Sequence, residues 1–203
     1  MYAKSIKTRR NIIVKSAELF NKKGFAGTSL NDITEATGLS KGAIYSKFTD
    51  KEDIALAVLD YNTSKVLDGF KELIEKETTV VNKINAFGAY YQLNYKELIQ
   101  NGGCPVMNAI TEFDDQKGPI CDRVKEKLGM WVGLMQDIIE EGKKDNSVKE
   151  EVNAGKYATL FVSMIEGGLL FAHFYTDPSH LLSSFEHINK ILVAEVLTSA
   201  PQN

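Results

Sequence analysis

Cysteine is scarce in this chain, with two among 203 residues. Cys104 and Cys121 stand far apart in sequence, with no second Cys or His at ligand spacing. A disulfide scaffold, a zinc finger or ribbon and a dithiol redox motif are therefore excluded, and a reducing cytoplasm is the expected setting. Three histidines occur, His173, His180 and His187. Pro178 breaks the chain between the first two, and the last two stand two helical turns apart, too far to share a metal. There is no G-x-S-x-G, P-loop or dinucleotide fingerprint, so neither metal nor cofactor is expected and the chain does not read as an enzyme. Scattered Ser, His and Asp could build a helical hydrolase, but no spacing supports one. Proline is rare, repeats and low-complexity linkers are missing, and no alternating β-branched run argues for a sheet. Long apolar runs are also lacking: Thr159–Tyr175 is interrupted by Glu166 and Gly167-Gly168, short of the ~20 residues a membrane span needs. The opening MYAKSIKTRR has no apolar block behind it, so neither export nor a membrane partner is expected.

The net charge of −3 conceals a division. Residues 1–51 hold ten Lys/Arg against four acids, and the remainder fourteen against twenty-three. A basic first quarter ahead of an acidic body suits a segment that faces a polyanion. Helical periodicity covers nearly everything. In residues 7–23, Ile13, Ala17 and Phe20 form an apolar stripe, with Gly24 placed to end the helix. Ser29 and Asp32 form an S-x-x-D capping pair for a helix whose inner face is Leu30, Ile33, Ala36 and Thr37. Gly38 supplies a positive φ, Leu39 plugs inward, and Ser40 caps a short helix from Lys41 to Lys47 with Ile44 and Phe48 facing the core. Two short helices across a glycine turn make a helix-turn-helix. A T-x-x-E pair, Thr49 and Glu52, opens a connector helix running through Ile54, Val58 and Tyr61 towards Glu77. Further helices are expected near 80–100, 105–114, 118–144, 151–176 and 179–198.

The Lys41–Lys47 helix leaves Lys41, Gly42, Ala43, Tyr45, Ser46 and Lys47 on its outer faces. A helix entering a major groove needs small residues where its backbone approaches the bases, and donors for phosphates and base edges. An exposed Gly42 costs ~1 kcal/mol relative to Ala, which close approach would explain. Lys51, in the first turn of the next helix, opposes that helix's dipole unless a phosphate lies there too. The Thr28 hydroxyl, ahead of the second helix, could likewise meet a phosphate.

From Gly24 to Ile54 the sequence, G-F-x-G-T-S-L-N-D-I-T-E-A-T-G-L-S-K-G-A-I-Y-S-K-F-T-D-K-E-D-I, resembles the N-terminal signature of the TetR family of one-component bacterial transcriptional regulators. The resemblance implies an all-α fold of about nine helices. A three-helix DNA-binding domain, 1–50, would precede a helical effector-binding and dimerisation domain, 51–203. It implies a homodimeric, ligand-released repressor on a pseudo-palindromic DNA operator. Thr28, Ser40, Lys41, Tyr45 and Lys51 would touch phosphates or bases, with Gly42 and Ala43 nearest the groove floor. Lys47 stands where many members have His, and Asn31 where many have Arg.

Beyond residue 60 the match is one of helix count and length. Ala158–His173 is apolar nearly all round, through Leu160, Phe161, Met164, Ile165, Leu169, Leu170 and Phe171, with Gly167-Gly168 permitting close helix approach. A second stripe runs through Leu181, Leu182, Phe185, Ile188, Ile191, Leu192 and Val196, so the last two helices are assigned to dimerisation. The effector candidates are Phe87, Tyr90, Tyr91, Tyr95, Cys104, Met107, Asn108, Glu112, Phe113, Trp131, Met135, Phe161, Met164 and Glu166, an apolar set with a few polar groups. Cys104, before Pro105, sits where a helix dipole would lower a thiol pKa, which opens an alternative as a thiol-based sensor repressor. A helical adaptor that binds only protein is a further alternative, and it leaves the basic first quarter without a purpose.

Overall fold

The computed structural model describes residues 2–198, with side chains from Ser5 onward, so Lys4 of the basic count lies outside the described side chains. The described residues form nine α-helices in chain order: α1 (Tyr2–Gly27), α2 (Leu30–Thr37), α3 (Lys41–Tyr45), α4 (Lys51–Ile74), α5 (Val80–Gln100), α6 (Pro105–Phe113), α7 (Pro119–Lys144), α8 (Ala154–Tyr175) and α9 (Ser179–Ile191). A π-helical turn, Leu192–Val196, continues α9. Among these residues there is no strand, only an isolated bridge between Val148 and Leu197.

Several expected bounds move: α1 starts at Tyr2 rather than Lys7, α3 ends at Tyr45 rather than Lys47, and two further starts move for a local reason. α4 is opened by Asp50 rather than Thr49: the Asp50 carboxylate accepts the Asp53 N–H at 2.8 Å, and Asp53 accepts the Thr49 N–H at 3.1 Å. The box is the expected device shifted by one residue, using a charged acceptor at the positive helix end. α8 begins at Ala154 instead of 151, because Val148 and Lys149 donate to Gly142 and Val196 carbonyls and hold that segment in a turn. Asn153 then caps the helix by accepting the Lys156 N–H. The inner stripe of α1 is also rotated. Ile12 and Ser16 are fully buried, while Ile13 and Phe20 pack at the margin. At 22 residues α8 exceeds the apolar stretch read from sequence: by length and composition alone it could cross a bilayer, and 44% of its most apolar window is buried within the fold.

The helices group into two compact units. The first runs to Val66 and takes in Gln100–Lys127, so α6 and the start of α7 belong with the helix-turn-helix; the second comprises Leu67–Ile99 and the chain from Leu128 onward. The first unit has one core of Ile12, Ile33, Ile44, Phe48, Ile54 and Val58, and another of Ala55, Leu59, Phe113, Ile120, Cys121 and Val124. In the second, Phe70 meets Phe87, Tyr90, Tyr91 and Trp131 with ring centroids 4.6–5.8 Å apart. There α8 lies close on α9 at Gly168, where any side chain would collide with Ser184.

Candidate nucleic-acid interface

The reading head assembles from its caps. Ser29 accepts the Asp32 N–H at 3.1 Å while the Asp32 carboxylate accepts the Ser29 N–H at 2.7 Å, closing the capping box. Lys23 joins Asp32 at 2.6 Å. That cation first, then the Ser29 donors, hold the Asp32 carboxyl far below its ordinary range. α2 ends at Gly38, whose φ of 68° lies in the left-handed region that glycine adopts at little cost. Ser40 caps α3 through the Ala43 N–H, and Ile44 and Phe48 anchor it from beneath. Arg9 braces the far side, its guanidinium 4.2 Å from the Phe48 ring centre and 3.3 Å from Asp53.

With its inner face so occupied, α3 turns an uncommitted face outward. Ser40, Lys41, Gly42, Tyr45 and Ser46 are exposed, Tyr45 to 45%, and Ala43 and Lys47 are half-buried. Apart from its chain neighbours and its own helix backbone, a methyl group built on Gly42 would meet no described atom within 4 Å. Among the described residues no contact requires a glycine there.

Two expected phosphate contacts are placed otherwise. Thr28 is fully buried, and its hydroxyl donates inward to the carbonyls of Gly24 at 2.7 Å and Leu19 at 3.3 Å. Lys51 is half-buried; its ammonium donates to the carbonyls of Phe25 at 2.8 Å and Thr28 at 3.1 Å and lies 4.2 Å from the Phe25 ring centre. The reason for both is the kink at Gly24, with φ 71° and ψ 179°, which interrupts α1 and frees backbone groups that need partners. The kink's remaining partners come from α6, and the sequence reading did not find them. Glu112 accepts the N–H groups of Phe25 and Ala26, both at 2.7 Å. Asn108 donates to the carbonyls of Asn21 at 3.0 Å and Gly102 at 2.7 Å. Cys104 is buried at the start of α6, its sulfur accepting the Met107 N–H at 3.5 Å, and Met107 is half-buried.

Comparison with known proteins settles the kinship. Residues 12–58 match the model of bacterial regulatory proteins of the tetR family, and residues 80–188 match the tetracyclin repressor-like C-terminal domain. The chain belongs to the TetR family. A TetR-family transcriptional regulator from Cytophaga hutchinsonii superposes with a TM-score of 0.90 at 30% identity, covering 97% of this chain and 98% of that one. One from Chloroflexus aurantiacus gives 0.90 and 30%, covering 97% and 100%. The transcriptional repressor DhaR of Mycobacterium sp. strain GP1 is 25% identical over 80% of each chain. This TetR-family chain is thus a DNA-binding transcriptional regulator with an N-terminal helix-turn-helix.

The regulator's expected effector residues fall in both units. Cys104, Met107, Asn108, Glu112 and Phe113 lie in the first, where Asn108 and Glu112 spend polar atoms on α1. Phe87, Tyr90, Tyr91, Trp131, Met135 and Phe161 are buried in the second, with Tyr95 and Met164 half-buried. Tyr91 donates to the buried Glu166 carboxylate at 3.1 Å, and Tyr95 donates to the Ala172 carbonyl at 2.9 Å. Burial comes first and the neighbouring Glu97 second in pushing the Tyr90 phenol up to about 12. On the outside of α8, Leu160, Leu170, Phe171 and Phe174 are exposed by 38%, 51%, 53% and 80%. Gly167 lies among them with open space above it.

Proposed function

We propose that this regulator is a homodimeric repressor that lays α3 of each subunit into successive major grooves of a pseudo-palindromic operator, and leaves it when a small molecule binds the C-terminal helices. One observation carries the reading: the outer face of α3 is small, polar and basic, and Gly42 has no neighbour of its own to accommodate. Ser40, Lys41, Tyr45, Ser46 and Lys47 take the phosphate and base contacts, with Gly42 and Ala43 at the groove floor. The exposed apolar stripe of α8, with Leu182 and Val193 beyond it at 38% and 72% exposure, supports pairing through the last two helices. Two heads must then stand about 34–36 Å apart, or a multiple of it. An effector weakens binding by preferring the wrongly spaced conformation, and only to the extent of that preference.

Selection of bound fragments from a random duplex pool tests this. The expected product is a two-fold symmetric sequence, bound by the purified protein with an affinity that falls steeply with salt as counterions are released. A pool that never enriches, or binding indifferent to salt, would overturn the reading.

A further inference from the structure

We infer that Glu112 is a positioning residue for operator recognition: from α6 it holds the kinked end of α1 and so fixes where α2 and α3 begin. Just past the Gly24 kink, the Glu112 carboxylate takes the Phe25 and Ala26 N–H groups, both at 2.7 Å. Lys51 takes the carbonyls of Phe25 and Thr28, and the Thr28 hydroxyl those of Leu19 and Gly24. Phe25, Ala26 and Thr28 are thereby held from α4 and α6, with the Thr28 hydroxyl turned back onto α1, and Ser29, the next residue, caps α2. The shared core and the Lys23–Asp32 pair hold α2 on α1, and the bonds from Glu112 and Lys51 add a tie at the kinked end that α1 and α2 do not themselves supply.

Apolar packing joins α6 to α1 through Phe25 and Phe113, whose ring centres lie 5.8 Å apart, and the Glu112 carboxylate adds a directional tie to it. Beside the contact lies a half-open cleft of about 60 Å³, lined by Phe20, Phe25, Leu59, Phe113 and Ile120 among others. Packing is thinner on that side, and the polar tie, being directional, constrains how the end of α1 meets α6. The approach is also specific. A methyl on Gly24 would lie 2.6 Å from a Glu112 carboxylate oxygen, and one on Gly102 would lie 3.1 Å from the Asn21 carbonyl.

This inference rests on the operator reading above, and its test separates the two. The probe is the duplex the wild-type protein selects from a random pool; if none is selected, it is the operator reading that fails. Glu112→Gln offers one acceptor oxygen where two were used. It is expected to lower the ratio of affinity for the selected duplex over bulk random duplex by roughly tenfold, measured well below its melting temperature. That ratio is indifferent to the fraction of folded protein. A residue that merely stabilised the fold would lower the melting temperature and leave the ratio alone, and that result would overturn the inference. Should Glu112→Gln not fold, Glu112→Asp, charged but too short to reach both amides, is read the same way. An unchanged ratio there is equally decisive against it.

Discussion

Among single residues, position 42 sets stability and function against each other. With no neighbour to resist a side chain and a helical setting, Gly42→Ala should raise stability by up to about 1 kcal/mol. On the proposed docking of α3 it should also weaken operator binding, because the added methyl would stand at the groove floor. Thermal melting and a gel shift on one preparation check both signs. Tyr45 and Lys51 separate along another line. Tyr45→Ala removes an exposed ring, so the melting temperature should hold while operator affinity drops by about 1–3 kcal/mol. Lys51→Ala strips two carbonyls and an aromatic face of their cation, and should cost about 1.5–3 kcal/mol of stability, visible as an earlier urea midpoint. Equal melting curves for the two variants would contradict this division. At Asp32 the sign is that of a depressed carboxylate. Its folded-state pKa lies below the ordinary 3.8, so its contribution is present above that pH and fades as pH falls towards the folded value. Urea midpoints taken downward from about pH 5 should therefore fall more steeply for wild type than for Asp32→Asn; parallel curves would remove the assignment.

For whole elements, the cleft against α6 offers the clearest test. Ala109→Val, on the lining of that half-open cleft, should bury added apolar surface and raise the melting temperature; a lower one would show that the methyls do not seat. The helices themselves were largely legible in the sequence because their signals are local. Ser29 with Asp32, Gly38 and Ser40 each announce a boundary through their own backbone chemistry, and each boundary stands where that chemistry put it. What could not be read were partners brought in from far along the chain. Thr28 and Lys51 look like phosphate ligands when only their own neighbourhood is considered. Their duties become visible once the Gly24 kink and the carbonyls it frees are in view. Asn108 and Glu112 were noticed as polar groups in an apolar helix, but whether they face a small molecule or another helix is decided eighty residues upstream, where no periodicity reaches.

For the molecule as a whole, the exposed stripe on α8 must be covered if two heads are to act together. Leu170→Arg, at 51% exposure, should leave the chain folded and make it elute as a single subunit. Operator affinity should then fall by more than tenfold, since the second half-site no longer binds within one complex. An unchanged elution volume would move the dimer to another face. The adjacent pair Gly167-Gly168 divides its service: Gly168 admits α9 of the same chain, and Gly167 faces outward.

The Glu112 tie also bears on how such regulators can be recombined. A head transplanted by cutting after residue 50 would arrive without the α6 carboxylate that finishes its first helix, and without Lys51. A chimera that carries residues 100–127 along with the first 66 keeps the donor's own carboxylate and lysine. The unit of exchange is therefore discontinuous in the gene, and a crossover placed by the family motif alone would deliver a reading head aimed by a stranger's helix.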